Sequence, residues 1–460
     1  MVFSSTVFLF IFLPLVLAIY YNPIFKSRAF KNIFLLIASL VFYAWGEPIF
    51  VFLMIFSIVI TWFLGLKIAN SNSKTVLTLG ISYHILILFV FKYLSFFAQQ
   101  LGLLLNKDWS VVSIALPIGI SFFTFQLMSY LFDVYYKKAE VQKNLLYLGL
   151  YVSLFPQLIA GPIVRYEQIA LAITDRHETY DDIVIGIQRF TYGLAKKVLL
   201  ANYLAQIADN LFDYMVGNTS VAMAWLGAIC YTLQVYFDFS GYSDMAIGLG
   251  RMFGFHFTEN FNYPYISKSV TEFWKRWHIS LSTWFRDYVY IPLGGNRVSK
   301  PRWIFNLFII WLFTGIWHGA NWTYIVWGLI YFIVLLAEKF TGYTGKSKYF
   351  SHVYTMLVLI LAEVIFRANT MSEAVIYLGN MFGVGTTSVI DSAFIIYIKS
   401  TASVLLFSII GTTPCFKNIM TRLKQTRFYM IETLWVTLLF MLSLLQVVSS
   451  TYNPFIYFNF

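Results

Sequence analysis

Long apolar runs separated by short polar segments extend from one end of the chain to the other. The first covers residues 1–21 and has neither a basic start nor a small-residue cleavage site, so it predicts a retained helix. Runs of similar length recur as far as residues 430–448. Because about 20 apolar residues in a helix cross a bilayer, the pattern predicts an all-α, polytopic integral membrane protein.

Two stretches depart from this regular pattern. Residues 144–161 are apolar but contain Pro156 and end in a glycine followed by a proline, which predicts a broken or re-entrant element. Residues 75–136 are interrupted at short intervals by charged residues such as Lys92 and Lys107. They are compatible with either two or three crossings.

An amphipathic segment begins near Val270, where Ser269 and Glu272 have the spacing of a capping box. Projection at about 100° per residue gives an aromatic stripe and a polar face, with His278 on the border between them. The stripe consists of Trp274, Trp277, Leu281, Trp284, Phe285 and Tyr288, and the polar face of Lys275, Arg276, Thr283, Arg286 and Asp287. Such a segment is too polar to span a bilayer, which indicates an interfacial or re-entrant helix that ends at Pro292.

His318 directly follows an almost continuously apolar stretch, residues 303–317, and precedes a second apolar run. An ionisable side chain in such a place is costly unless it faces protein or a water-filled cavity, so His318 is a functional candidate. The structural alternative is a neutral ring bonded to nearby backbone or to Asn321.

Asp238 and Asp244 lie in the apolar run that begins at Val221 and cannot both face lipid. One explanation is hydrogen bonding between helices and ion pairing with nearby basic residues. The other is a polar lining of a substrate path.

Composition agrees with a membrane protein and excludes several other classes. Hydrophobic residues make up 59% of the 460 residues and charged residues 12%, against about 25% charged in soluble domains. No stretch resembles a separate soluble domain, so we expect one membrane-embedded domain over residues 1–460. The two cysteines are far apart and the six histidines lack metal-ligand spacing, which predicts neither a disulfide framework nor a metal centre.

The net charge of +11 reports topology rather than nucleic-acid binding, because Lys and Arg accumulate in cytoplasmic loops of membrane proteins. This positive-inside rule predicts that both termini lie outside and that the segment around His278 lies at the cytoplasmic face. That segment carries the basic residues Lys268, Lys275, Arg276, Arg286, Arg297, Lys300 and Arg302 and the acidic residues Glu272 and Asp287. The helix that follows would carry His318 deep into or across the membrane, which suits a polyanionic donor that stays inside while its acyl group is used outside.

Two sequence blocks, WHISLSTWFRDYVYIPLGG (277–295) and WLFTGIWHGANWTYIVWG (311–328), resemble the signatures of the membrane-bound O-acyltransferase family, in particular its bacterial alginate O-acetylation branch. Four further blocks follow the same order, PIGISFFTFQ from Pro117, FPQLIAGPIVRY from Phe155, GLAKKVLLAN from Gly193 and YFDFSGYSDMAIGLGRMFGF from Tyr236. The resemblance covers nearly the whole chain.

The resemblance implies a helical fold with a central tunnel, with His318 as the catalytic residue and His278 as a second, less essential histidine. It further implies a cytoplasmic acyl thioester, acetyl-CoA or an acyl-carrier thioester, as donor substrate and no bound cofactor. In this branch the acyl group is acetyl and passes to an extracytoplasmic polysaccharide such as alginate, usually with a periplasmic, SGNH-like acetyltransferase partner. The expected location is the inner membrane.

The residues fit this chemistry. A neutral imidazole at position 318 can remove the proton of an attacking hydroxyl as general base, with a covalent acyl-histidine as the alternative. Asn321 is a candidate to orient the ring, and Trp317 and Trp322 are candidates to exclude water.

Lys275, Arg276, Arg286 and Arg297 are candidates to bind the anionic donor, although positive-inside bias alone would also place them at this face. Asp287 beside Arg286 also permits a purely structural ion pair.

Two other functions remain open at this point. One is transfer of D-alanyl or another acyl group from a carrier-protein thioester to a cell-wall polymer. The other is a non-enzymatic subunit or flippase for polysaccharide export, which would not need the two histidine blocks. Thioester turnover by the purified protein distinguishes an enzyme from such a subunit.

Overall fold

The computed structural model describes residues 1–107, 114–159, 161–213, 219–343, 345, 347–425 and 429–455. Within these ranges the regular structure is helical, apart from one isolated parallel bridge between Ser220 and Ser388. The prediction of an all-α protein is confirmed.

The chain forms two compact units. The first comprises Met1–Phe190 and Tyr242–Glu259, and the second comprises Thr191–Gly241 and Asn260–Phe460. The expectation of a single membrane-embedded domain over residues 1–460 stays a prediction.

The first unit contains helices of very different length. They are α1 (Leu13–Tyr20), α2 (Arg28–Ala44), α3 (Phe50–Ser71), α4 (Lys74–Leu88), α5 (Leu94–Leu105), α6 (Ile120–Tyr135), α7 (Leu145–Ser153), α8 (Phe155–Leu158), α9 (Tyr166–Thr174) and most of α10 (Tyr180–Ala195). A π-helical segment, Phe8–Phe12, precedes α1, and another, Phe89–Tyr93, joins α4 to α5 into one long helix. Residues 75–136 therefore hold two long helices in their described part. The break at Leu154 between α7 and α8 confirms the predicted broken element.

Phenylalanine rings and a partly buried ion pair stabilise the first unit. Phe8, Phe12 and Phe42 contact Phe155 with ring centroids 5.4–6.2 Å apart. Glu178 pairs with Arg28 at 2.6 Å. Burial opposes ionisation of Glu178, but the hydrogen bonds that Arg28 and Tyr20 donate outweigh it and lower its pKa to about 2.

The second unit contains the remaining helices, and α10 and α12 contribute residues to both units. A π-helical segment, Lys196–Ala201, joins α10 to α11 (Asn202–Asp213). The others are α12 (Val221–Met252), α13 (Val270–Arg276), α14 (Ile279–Phe285), α15 (Lys300–His318), α16 (Trp322–Thr341), α17 (Lys348–Arg367), α18 (Met371–Met381), α19 (Ser392–Gly411), α20 (Cys415–Gln425) and α21 (Tyr429–Ser449). A 3₁₀ turn, Pro264–Ile266, precedes α13, and a π-helical segment, Arg286–Tyr290, follows α14.

Several described helices are long and apolar enough to cross a bilayer. They are Phe50–Ser71, Lys74–Leu105, Trp322–Thr341, Tyr349–Arg367, Ser392–Gly411 and Met430–Ser449. The chain is a multi-pass membrane protein. The outer location of both termini stays a prediction, and residues 456–460 at the C-terminal end lie outside the described residues.

Helices α15 and α16 pack antiparallel at unusually short distance through two glycines. A Cβ atom on Gly315 would lie 2.5 Å from the carbonyl oxygen of Tyr324, and one on Gly328 would lie 2.4 Å from that of Trp311. Small residues permit such close helix packing in membranes. Because α17 packs next to α16 and reverses direction again, the ends of α15 and α17 lie close to the start of α16. His318 is the last residue of α15 and therefore lies there.

Candidate active site

The amphipathic segment is broken into two helices at His278. Ser269 Oγ accepts a hydrogen bond from the Glu272 backbone N–H at 3.0 Å, as the capping spacing predicts, whereas the Glu272 carboxylate accepts from the Lys268 backbone N–H at 2.9 Å. His278 has a φ of +43°, a left-handed conformation that costs a non-glycine residue free energy. The prediction of one continuous helix was wrong, because a projection at constant angle contains no signal for a left-handed residue.

The predicted aromatic stripe is nevertheless buried. It includes Trp274, Trp277, Leu281, Trp284, Phe285 and Tyr288. His278 is only 1% exposed, so the prediction that it lies on the border of the polar face was wrong. The left-handed residue turns its ring into the protein.

Asn260 organises the backbone and the ring at the break. Its carbonyl oxygen accepts from the Ile279 N–H at 3.0 Å, and its Oδ1 accepts from Ser280 N–H at 3.1 Å and Ser280 Oγ at 2.8 Å. The Nδ1 atom of His278 lies 3.3 Å from the same Oδ1. A proton on Nδ1 would be donated there and would leave Nε2 as a proton acceptor. Nε2 is buried and has no hydrogen-bond partner within the described ranges. Burial lowers the pKa of His278 to about 3, so its ring is neutral at neutral pH.

His318 lies in an aromatic enclosure at the end of α15. Its side chain is 6% exposed. Its ring centroid is 5.0 Å from those of Trp317 and Trp327 and 5.2 Å from that of Phe366. The enclosure combines the ends of α15 and α17 with the first turns of α16.

Trp317 connects the two histidines. Its ring centroid lies 5.8 Å from that of His278 and 5.0 Å from that of His318. The ring of His278 also packs against that of Phe239 in α12, with the two ring centroids 4.6 Å apart. The structure thus brings together three of the predicted site residues, although His278 and His318 are far apart in sequence.

Two other candidates beside His318 have different surroundings. Asn321 caps α16, accepting from the Thr323 N–H at 3.2 Å, and its Nδ2 donates to the Asn369 carbonyl at 2.7 Å. Neither bond goes to His318. Trp322 is 51% exposed, so of the two tryptophans proposed to exclude water only Trp317 is buried.

The four basic candidates fall into two groups. Arg276 pairs with Glu272 at 2.9 Å, and Arg286 forms two hydrogen bonds with Asp287, at 2.7 and 3.1 Å. Lys275 and Arg297 are exposed. Binding of a donor by any of the four stays a prediction.

Both acidic candidates in α12 form ion pairs. Asp238 pairs with Lys197 at 2.6 Å, and the two side chains are 2% and 3% exposed. Asp244, in the first unit, pairs with Arg189 at 2.7 Å. Ion pairing of these residues, the structural explanation, is confirmed, whereas a role in lining a substrate path stays a prediction.

Sequence reasoning missed several residues that shape the site. Glu338 of α16 accepts hydrogen bonds from the Val270 and Thr271 N–H groups at 2.7 and 2.8 Å and so fixes the start of α13. Asn260 had no usable signal, because an asparagine 18 positions before His278 is ordinary in sequence. Glu363 did have one, since a lone acid interrupts the apolar run of α17.

Comparison with known proteins agrees with the resemblance of the sequence blocks. A family profile described as "MBOAT, membrane-bound O-acyltransferase family" matches residues 120–379. The chain is 39% identical to the "Probable alginate O-acetylase AlgI" of Pseudomonas putida, over 100% of both chains. It is 33% identical to the "Peptidoglycan O-acetyltransferase" of Helicobacter pylori, over 100% of this chain and 98% of the relative. It is 29% identical to the "Teichoic acid D-alanyltransferase" of Bacillus subtilis, over 53% of this chain and 66% of the relative.

Proposed function

The chain belongs to the membrane-bound O-acyltransferase family, and from this we propose that it moves an acetyl group from a cytoplasmic thioester to a hydroxyl group of an extracytoplasmic polysaccharide. It is an O-acyltransferase, and its relatives support O-acetylation of a polymer at the membrane. A non-enzymatic export subunit does not fit this family.

One observation carries the proposal of where the chemistry occurs. Two buried histidines, His278 and His318, contact the same indole at the end of an apolar helix. Imidazole is the side chain whose proton affinity best suits proton transfer near neutral pH. The surrounding rings keep bulk water away from a reactive thioester.

In the proposed reaction His318 is the general base. The acceptor hydroxyl attacks the thioester carbonyl carbon while its proton moves to the imidazole, and a tetrahedral intermediate forms. As the carbon–sulfur bond breaks, the thiolate leaves and takes the proton from the imidazolium. The products are an ester and a free thiol, and the histidine is regenerated.

His278 has a supporting role in this proposal. Its ring packs on Trp317, which in turn packs on His318, so it helps to fix the position of the base. The Nε2 atom of His278, which has no hydrogen-bond partner among the described residues, would also be available to bind the donor or the acceptor.

We place the donor at the basic side of the second unit. Helix α15 begins at Lys300, close in sequence to the exposed Arg297, and ends at His318. A helix of this length measures about 28 Å, nearly the hydrocarbon thickness of a bilayer. An anionic donor such as acetyl-CoA at the cytoplasmic face of the inner membrane would therefore direct its thioester along α15 toward His318, with both termini of the chain outside.

The acceptor and the partner follow from the relatives. The Pseudomonas putida relative is named for alginate and the Helicobacter pylori relative for peptidoglycan, so a cell-envelope glycan is the acceptor class that we propose. We also propose a periplasmic, SGNH-like acetyltransferase as partner, which would move the acetyl group from the saccharide acetylated here to its final position on the glycan.

Turnover of a thioester tests the proposed function. Purified protein in lipid nanodiscs is mixed with acetyl-CoA and a glycan fragment, and release of coenzyme A and acetylation of the fragment are both measured. Acetyl transfer that His318→Ala abolishes is the expected result. No turnover of any thioester by the wild-type protein would refute the proposal.

D-alanyl transfer is the second candidate, and the Bacillus subtilis relative favours it. Its similarity covers about half of this chain, whereas the O-acetylating relatives match over the full length. Supplying a D-alanyl carrier-protein thioester in place of acetyl-CoA distinguishes the two.

A further inference from the structure

Glu363 lies in α17 with its side chain inside the second unit. It is 7% exposed, and it precedes Phe366 by three positions. Residues three apart share one face of a helix, and Phe366 contacts the ring of His318. Glu363 is therefore about 5 Å along the helix axis from a residue of the His318 enclosure.

The protein leaves one oxygen of this carboxyl group unsatisfied. Oε2 of Glu363 is buried and has no hydrogen-bond partner in the part of the chain that the structure describes. Arg367, one turn further along α17, pairs with Asp209 at 2.7 Å instead. A buried carboxyl group without a partner costs free energy, because it gives up hydrogen bonds to water and gains none.

Three tyrosines interact with Glu363, and one of them connects it to the surroundings of His318. Glu363 interacts electrostatically with Tyr231, Tyr265 and Tyr331. The ring of Tyr331 contacts that of Trp327 at 5.0 Å, and Trp327 contacts His318 at the same distance. Among the described residues, the buried Tyr331 hydroxyl and Trp327 Nε1–H have no hydrogen-bond partner.

These groups differ in what they can bind. An indole N–H only donates and suits a carbonyl oxygen, whereas a carboxyl group buried without a paired cation is neutral and both donates and accepts, as a hydroxyl group does. A thioester carries a carbonyl oxygen and no hydroxyl at its reacting end. The carboxyl group of Glu363 therefore matches the acceptor rather than the reacting end of the donor.

We propose that Glu363 is a substrate-positioning residue that hydrogen-bonds a hydroxyl group of a polyhydroxylated acceptor bound beside His318. This inference rests on the proposed function. One hydroxyl attacks the thioester and gives its proton to His318, and a second hydroxyl of the same sugar donates to Glu363 Oε2.

The test compares a polyol and a monohydric acceptor with acetyl-CoA as donor. Methyl α-D-mannopyranoside is the polyol and cyclohexanol the monohydric probe. Glu363→Leu removes the acceptor atom, and Glu363→Gln keeps one. Glu432→Leu is the matched control, because Glu432 is another buried acid on a helix long enough to span the membrane.

We expect Glu363→Leu to raise the KM for the mannoside by about 3- to 10-fold, the effect of losing a hydrogen bond between neutral groups. The KM values for cyclohexanol and acetyl-CoA should stay within about twofold, since neither is expected to use this carboxyl group. Glu363→Gln should show a smaller rise and Glu432→Leu none. An unchanged mannoside KM, or an equal rise for cyclohexanol or acetyl-CoA, would overturn the inference.

A binding measurement separates this inference from the proposed function. Saturation-transfer NMR of the mannoside is recorded with His318→Ala protein and with the His318→Ala, Glu363→Leu double variant. Contact that disappears in the double variant supports the role of Glu363 even if the wild-type protein turns over no thioester, in which case only the proposed function fails. Equal contact in both proteins, or contact in neither, overturns the role of Glu363.

Discussion

His278 and His318 pack against the same indole ring, that of Trp317, with centroid distances of 5.8 and 5.0 Å. Each histidine belongs to a different helix, since His278 caps α14 and His318 ends α15. A change at one ring therefore reaches the other through a single side chain. This coupling shapes the predictions for both residues.

Replacing His318 by alanine should remove the proposed base. We expect acyl transfer to fall by roughly two to four orders of magnitude, the usual contribution of a positioned proton acceptor. Membrane insertion and thermal stability should be largely retained. Coenzyme A release by protein in nanodiscs measures the effect.

His84→Ala is the matched control for that change. His84 is also buried in a long apolar helix, where it hydrogen-bonds Thr61 at 2.9 Å, but it lies in the first unit. Its loss should cost stability with little effect on turnover per folded molecule. Near wild-type turnover by His318→Ala would contradict the assignment of His318 as the base.

Substitution of His278 should affect activity less than substitution of His318, because we assign it to positioning. Alanine keeps the strained positive φ, whereas glycine relieves it. His278→Gly should therefore be more stable than His278→Ala by about 1 kcal/mol, while both lack the ring. Melting temperatures and turnover of the two variants separate the backbone contribution from that of the imidazole. Loss of activity as complete as in His318→Ala would instead indicate a catalytic pair.

Neutralising a basic residue that binds the donor should raise the donor KM, and added salt should weaken donor binding by screening exposed charges. Lys275→Gln and Arg297→Gln should have the larger effects, since both side chains are exposed. Arg276→Gln and Arg286→Gln should have smaller ones, because acidic neighbours already hold these side chains. A donor titration at two salt concentrations measures both quantities.

Lys74→Gln serves as the control for this series, because Lys74 is an exposed lysine of the first unit. It should leave the donor KM unchanged. Unchanged KM and unchanged salt dependence in all four variants would leave these residues with a topological role only.

Glu338→Ala should destabilise the start of α13 and displace the histidine that follows. The Glu338 carboxylate accepts from two backbone N–H groups and from the Thr271 hydroxyl, at 2.6 to 2.8 Å. Each hydrogen bond to a charged group contributes about 1.5 to 3 kcal/mol, so a clear fall in melting temperature is expected. Glu272→Ala, which breaks a partly exposed ion pair and an exposed hydrogen bond from the Lys268 N–H, should cost less, about 1 to 2 kcal/mol. Similar melting temperatures for the two variants would contradict this account.

Much of the fold was predictable because membrane-spanning helices correspond to long apolar runs in the sequence. The start of α13 at Val270 and the break near Pro156 followed from capping and proline rules. The sequence block around His278 likewise predicted that this histidine belongs to the same candidate site as His318. These signals are local in sequence, which is why they were readable.

What was not predictable depends on contacts between distant segments. The left-handed conformation of His278 is stabilised by Asn260, and Glu338 of another helix accepts from two N–H groups of α13 that Ser269 leaves uncapped. The ion pair between Lys197 and Asp238 forms because the π-helical segment that contains Lys197 directs this side chain toward α12. Tertiary packing decides such features, and a projection at constant angle does not contain them.

The π-helical segment Lys196–Ala201 also determines how this region would tolerate the loss of a residue. In a regular α-helix, a one-residue deletion rotates everything beyond it by about 100°. A π-helical turn holds one residue more than an α-helical turn, so deleting one residue from it restores regular geometry and keeps the flanking helices in phase. Helix α11 should therefore survive such a deletion, whereas Lys197 would turn away from Asp238 and leave a buried carboxylate without its cation.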